Sequence, residues 1–141
     1  MREILFRGRS IKFRVWCEGE LINTTGEIPP YMPMILQVSE NSDVEAFDVD
    51  PDTVGQYSGM KDKNGQRIFE GDIVRARIEG TSAYRGFEWP PMKVTFSRGA
   101  FGLVSARGDF AALSAFSHTV TFEIIGNIYE TPEEMEGNEN A

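Results

Sequence analysis

Side chains that commonly carry chemistry are few in this sequence, and their spacing excludes more than it permits. There is one histidine, His118, and one cysteine, Cys17. A metal centre generally draws two or more ligands from His and Cys, so this pair predicts none. His118 falls in phase with Val120, Phe122 and Ile124, at the inward edge of an expected strand, which favours a structural role. Cys17 has no nucleophile signature around it and reads as a small buried filler; a thiolate pair with His118 is the chemical alternative. Asp48, Asp50 and Asp52 alternate as calcium ligands do. An EF-hand loop needs glycine at its sixth position and glutamate at its twelfth. Counted from Asp48 those places hold Thr53 and Gly59, and counted from Asp62 they hold Arg67 and Ile73. A solvated acidic turn fits better. Phosphate-cradling glycines fail likewise. Gly99-Ala100-Phe101-Gly102 lacks the third glycine and the strand-to-helix context of a dinucleotide site, and Gly71-Asp72 precedes no Lys-Ser or Lys-Thr. The expectation is a protein with no catalytic, cofactor-binding or metal-binding residues, no cofactor and no enzyme activity.

What remains is surface chemistry. Arg75, Arg77, Arg85, Lys93, Arg98 and Arg107 interleave with Tyr84, Phe87 and Trp89. On a small β-domain this mixture suits single-stranded nucleic acid, with bases on the rings and phosphates on the cations. A polar outer face above an aromatic core is the simpler reading. Trp89-Pro90-Pro91 falls in a loop and reads as a protein-binding tip, since loops carry function more often than strands. Lys61, Asp62 and Lys63 lie at an expected hairpin. The candidate interaction surface is therefore Lys61, Asp62, Lys63, Arg75, Arg77, Trp89 and Lys93.

Charge weighs on the choice of partner. The formal net charge is −8. Residues 1–42 hold five basic and five acidic side chains, and residues 43–72 hold three and eight. Residues 73–126 hold six and four, whereas residues 127–141 hold none and five. Nucleic-acid binding normally needs a basic face that neutralises phosphates. The central surplus of two leaves room for a local patch, but the acidic flanks favour a protein partner or self-association.

The elements that would position these groups follow from apolar spacing. Ile4 and Phe6, then Ile11, Phe13 and Val15, alternate with polar residues, which predicts two strands joined near Gly8-Arg9-Ser10. Residues 23–34 carry Pro29, Pro30 and Pro33 and read as a loop, with Ile28, Tyr31 and Met32 packing onto the domain. Asp62-Lys63-Asn64-Gly65 is the strongest local signal, an Asn-Gly hairpin turn of type I′. Val74, Ala76 and Ile78, then Met92, Val94 and Phe96, then Val120, Phe122 and Ile124 each line one side of a strand. Phe110, Leu113 and Phe116 are spaced for one or two helical turns. Thr131-Pro132-Glu133-Glu134 reads as a capped helix start.

Many short strands between turn residues predict a mainly β, antiparallel fold: a small SH3-like barrel with an N-terminal strand and loop extension and little helix, α+β being the alternative. One domain is expected over residues 1–130, with N-terminal strands and the Pro-rich loop in 1–58, the barrel-like part in 59–130, and an acidic tail in 131–141. No apolar run approaches the ~20 residues that cross a bilayer. The opening Met1–Gly8 has no signal-peptide core. With a single cysteine, this predicts a cytoplasmic protein without membrane contact.

Four blocks carry a family resemblance. They are Arg2–Gly8, Val54–Gly65, Phe69–Val74 and Ile125–Glu130. In this order, spanning residues 2 to 130, they resemble the YopX family. The resemblance implies a phage or prophage protein, mostly of Gram-positive hosts, with a β-rich fold; it implies no activity and no site residues. Trp16-Cys17-Glu18-Gly19 departs from the family's usual Trp-x-Tyr-Gly. The resulting expectation is a phage accessory protein that binds a protein or itself, with nucleic-acid binding through the Arg75–Arg107 region as the alternative.

Overall fold

The structure, a computed structural model, describes residues 4–22, 33–116 and 118–136. The packing expected of Ile28, Tyr31 and Met32, and the end of the acidic tail, lie outside the described residues. Within them the strands are β1 (Phe6–Arg9), β2 (Trp16–Ile22), β3 (Met34–Val38), β4 (Val44–Asp48), β5 (Gly55–Lys61), β6 (Arg67–Phe69), β7 (Asp72–Ile78), β8 (Met92–Ser97), β9 (Ala100–Val104), β10 (Phe110–Ala112) and β11 (Val120–Asn127). Short 3-10 turns occupy Pro51–Thr53, Leu113–Ala115 and Pro132–Glu136. The protein is mainly β, as its apolar spacing predicts.

The strands form two antiparallel sheets, in the orders β4-β3-β2-β1-β5-β6 and β10-β9-β8-β7-β11. Neither closes into a barrel, which corrects the expected SH3-like closure. The second sheet ends on β10, only three residues long, and on β11, and these two edges do not pair. By contacts the chain divides into Met1–Gly59 and Met60–Ala141.

In the first unit, Cys17, Ile35 and Val49 form the buried centre, with Phe6, Leu21, Phe47 and Val54 around them. The chain does not turn at Gly8. A Cβ there would stand 2.8 Å from the Val49 side chain, so glycine lets β1 pass directly over Val49. The turn comes at Ser10–Val15. Ser10 N donates to Val15 O, Arg14 N to Ser10 O, and Phe13 N to Ser10 Oγ. Ile11, Phe13 and Val15, which alternate like a strand, are therefore exposed turn residues. The reason is local: a serine that caps the turn outweighs a period-two pattern with no strand beside it.

In the second unit, the inward residues of β7, β8, β9 and β11 supply the core, among them Val74, Ala76, Met92, Val94, Leu103 and Phe122. The β5–β6 hairpin is present, but its turn is not type I′. Gly65 N donates to Asp62 O and Gly65 has φ +82, whereas Asn64 is not in the left-handed region. That is a type I turn followed by a glycine bulge. Phe110 opens β10 and only Leu113–Ala115 coils, as a 3-10 turn. Thr131 does not close a capping box through its side chain: its Oγ accepts from Asn127 N at 3.0 Å instead.

Gly71 and Gly65 separate two costs that glycine avoids. Both have positive φ, but a Cβ on Gly65 meets nothing within 4 Å, whereas one on Gly71 stands 2.8 Å from Tyr129 Cε2. Gly65→Ala should cost about 1 kcal/mol, from conformation alone. Gly71→Ala should cost about 2–4 kcal/mol, because the ring must also move. Urea unfolding of the two variants measures the difference, and equal losses would contradict the packing of Tyr129 on Gly71.

Candidate functional site

Asp62 ends the hairpin's first arm and is 6% exposed. Its Oδ1 accepts from Asn64 N and Gln66 N, each at 2.9 Å, and its Oδ2 accepts from Ile124 N at 3.3 Å. Lys63 N adds a bond to Phe122 O. The hairpin is thereby fastened to β11, and the Asp62 carboxylate faces inward. Asp72 is 1% exposed, and its Oδ2 accepts from Phe69 N at 2.8 Å. Buried carboxylates held by amides in this way position strands. Lys61 and Lys63, on either side of Asp62, point to solvent.

β7 and β8 place three of the expected cations on one face. Val74 and Ala76 turn into the core, so Arg75 and Arg77 turn out. The register sets Lys93 beside Ile73, Glu123 beside Arg75 and Thr121 beside Arg77; paired residues share a face. Arg75, Arg77, Lys93 and Glu123 thus stand together. Lys63 Nζ lies 3.0 Å from Glu123, and Arg77 lies 3.5 Å from Glu79 and 3.7 Å from Glu88. With carboxylates interleaved, this face is of mixed charge. A polyanion would have to displace partners already present, which weakens the nucleic-acid reading.

Trp89 belongs to the core side. It packs edge-on to Phe116 at 5.5 Å and to Phe87 at 5.0 Å. The residues that loop 79–91 presents outward are Tyr84, 74% exposed, and Phe87, 52% exposed. Arg85 N to Ser82 O, Phe87 N to Tyr84 O, Gly86 N to Ile78 O and Trp89 N to Ala76 O fix the loop backbone. The loop therefore presents Tyr84 and Phe87, and Trp89, expected at the tip because it lies in a loop beside two prolines, anchors it instead.

A groove of about 510 Å³ runs past Lys93, Val104, Ser105, Ile128, Met135 and Glu136. Ser105 Oγ already accepts from Asp109 N at 3.2 Å, and no activated nucleophile lines it. His118 is exposed in the turn before β11, not at an inward edge. Among the described residues no cluster of three or more His, Cys, Asp or Glu is placed to hold a metal ion. Nor, among the described residues, is any helix long and apolar enough to cross a membrane.

Two exposed apolar groups escaped the sequence reading. One is Ile11, Phe13 and Val15 at the β1–β2 turn; the other is Val38 and Val44, paired across β3 and β4. A charge asymmetry signals them. Residues 4–17 hold Arg7, Arg9, Lys12 and Arg14 and no acid, whereas residues 18–59 hold nine acids and no base.

A match to the YopX family, described as YopX protein, spans residues 12–136. The chain belongs to the YopX family. Parts of three of the blocks that carry the resemblance lie close together in the second unit. Asp62 reaches Ile124, Gly71 N donates to Val94 O, Ile128 N donates to Gly71 O, and Tyr129 covers Gly71. No curated protein matches the chain. Among solved structures, the chain is similar to the crystal structure of protein EF1440 from Enterococcus faecalis, with a TM-score of 0.53, 21% identity, 96% of this chain covered and 99% of that one. At that identity the likeness shows a common fold.

Two outcomes follow from the buried groups. Asp62→Ala should cost about 2–4 kcal/mol in urea unfolding, since three amides lose their acceptor, and Asp62→Asn should cost less. Burial pushes the Cys17 thiol up, and Glu45 adds repulsion against its thiolate. The folded state therefore favours the neutral thiol. Its contribution is complete below the unfolded pKa of about 8.5 and is lost as pH rises through the folded value. The urea midpoint should fall from pH 8 to 10 more steeply than in Cys17→Ala, and a thiol reagent should label Cys17 slowly until urea is added.

Proposed function

We propose that this YopX-family chain is a phage or prophage accessory protein of the host cytoplasm that works without catalysis, by holding a protein partner or a second copy of itself. The observation that carries the reading is the pair of aromatic rings on loop 79–91. Tyr84 and Phe87 stand in solvent on a backbone fixed by its own hydrogen bonds, while Trp89 anchors the loop below. Rings held rigidly in this way lose little entropy on binding, and they are the side chains that dominate protein interfaces. The mixed-charge face of Lys63, Arg75, Arg77 and Glu123 suits a polar rim beside them.

The test is capture of phage and host proteins by the tagged chain, with Tyr84→Ser/Phe87→Ser as control. Both residues are exposed and only Phe87 has a ring partner, Trp89, so the variant should unfold within about 1.5 kcal/mol of the parent and yet lose the captured protein. Equal capture by parent and variant would remove the loop from the interface. A parallel gel shift at about 50 mM salt should show no retention of DNA or RNA; strong retention that Arg75→Ala/Arg77→Ala abolishes would favour the nucleic-acid reading instead.

A further inference from the structure

β4 is the last strand of the first sheet and pairs only with β3. Hydrogen bonds at its ends fix the direction of its amides. Ser39 N donates to Asp43 O and Val49 N donates to Pro33 O, so the odd-numbered residues face β3. The N–H and C=O groups of Val44, Ala46 and Asp48 therefore point away from the sheet. On that side Ile11 N donates to Asp48 O at 3.1 Å. Among the described residues, no hydrogen bond uses the outward groups of Val44 and Ala46. Four of the five residues of β4 are exposed.

Apolar patches of opposite charge flank this edge. At its Asp48 end stands the β1–β2 turn, where Ile11, Phe13 and Val15 are 46%, 58% and 50% exposed and alternate with Lys12 and Arg14. At its Val44 end, Val38 and Val44 are 64% and 61% exposed, beside Glu40 and Asp43 in the β3–β4 turn. The length of β4, about 14 Å, separates the two patches, so they do not meet within one copy.

We propose that two copies of this chain pair edge to edge through β4, antiparallel, about a two-fold axis at Ala46. The inference takes up the self-association half of the function proposed above and rests on it. Antiparallel pairing lays each basic patch on the acidic patch of the other copy, twice. The register follows from charge. With Ala46 opposite itself, each Ala46 exchanges both outward bonds with its copy, and the Val44 end of one strand runs up to the Ile11 turn that covers Asp48 of the other. A shift in one direction puts Glu45 opposite itself, which like charges oppose. A shift in the other direction would place Ala46 opposite Asp48, whose carbonyl Ile11 N already holds, and so loses the bonds at Ala46. Because the same edge is used on both copies, the assembly closes at two and does not extend.

Sedimentation of the full chain tests this. The expected species has about twice the 15.8 kDa chain mass, and it weakens as added salt shortens the screening length from about 10 Å at 0.1 M to about 3 Å at 1 M. Ala46→Pro removes an outward N–H and no β3–β4 bond, so it should raise the dissociation constant at least about tenfold. Lys12→Glu/Arg14→Glu should weaken the pair by about tenfold, and adding Glu40→Lys/Asp43→Lys to the same chain should restore it. Thermal melts check that each variant folds; if Ala46→Pro does not, the charge swap decides. A 15.8 kDa species at every concentration to about 1 mM, or a dimer that the charge reversal leaves unchanged, would overturn the pairing. Tyr84→Ser/Phe87→Ser should dimerise like the parent. Partner capture through loop 79–91 by a chain that stays monomeric would sink this inference alone, whereas failure of both would sink the function proposed above.

Discussion

The second unit depends on one buried carboxylate. Asp62 accepts two amides of its own hairpin and a third from Ile124, 62 residues further along. A charge withdrawn from water costs several kcal/mol unless its hydrogen bonds are supplied, so the site is stable only when hairpin and β11 are both in place. Local turn geometry and long-range strand placement are therefore coupled through one side chain. Asp72 extends the coupling: its side chain takes Phe69 N, and its backbone pairs with Asn127 at the end of β11. Gly71 between them lets Tyr129 lie against the main chain.

That arrangement explains what the YopX blocks do. Val54–Gly65, Phe69–Val74 and Ile125–Glu130 contain the side chains and glycines that fasten β5, β6, β7 and β11. Their residue types suit amide capture and close approach. Membership of the family accordingly specifies an architecture. The surfaces on which the proposals above rest lie between the blocks: loop 79–91, the β1–β2 turn and the β3–β4 turn.

Strands flanked by partners were legible in the sequence, and turns with their own hydrogen bonds were not. Val74 to Ile78, Met92 to Phe96 and Val120 to Ile124 alternate and are extended, because each has one face on a core. Ile11 to Val15 alternates just as clearly and is a turn, because Ser10 captures Phe13 N and Arg14 N. The Asn-Gly pair announced a hairpin, yet the turn type was set one residue earlier, where the Asp62 carboxylate holds Asn64 N. Barrel closure was not legible because it depends on whether β10 and β11 meet, and no periodicity encodes that. Of the surface residues, Arg75, Arg77 and Lys93 came together through strand register, whereas Asp62 and Trp89 turned inward.

The β1–β2 turn carries a conformational cost that its chemistry accounts for. Arg14 has φ +55, a region that costs a residue with a Cβ roughly 1–2 kcal/mol and that glycine enters freely. Glycine at this position would relax the turn but remove one of the two cations set between Ile11, Phe13 and Val15. Phe13 packs edge-on against Phe47 at 6.1 Å, but the exposed faces of Ile11, Phe13 and Val15 bury nothing in an isolated chain, and a strained arginine subtracts from its stability. The edge pairing proposed above would offset that cost, because the surface it lays over the turn is both apolar and acidic.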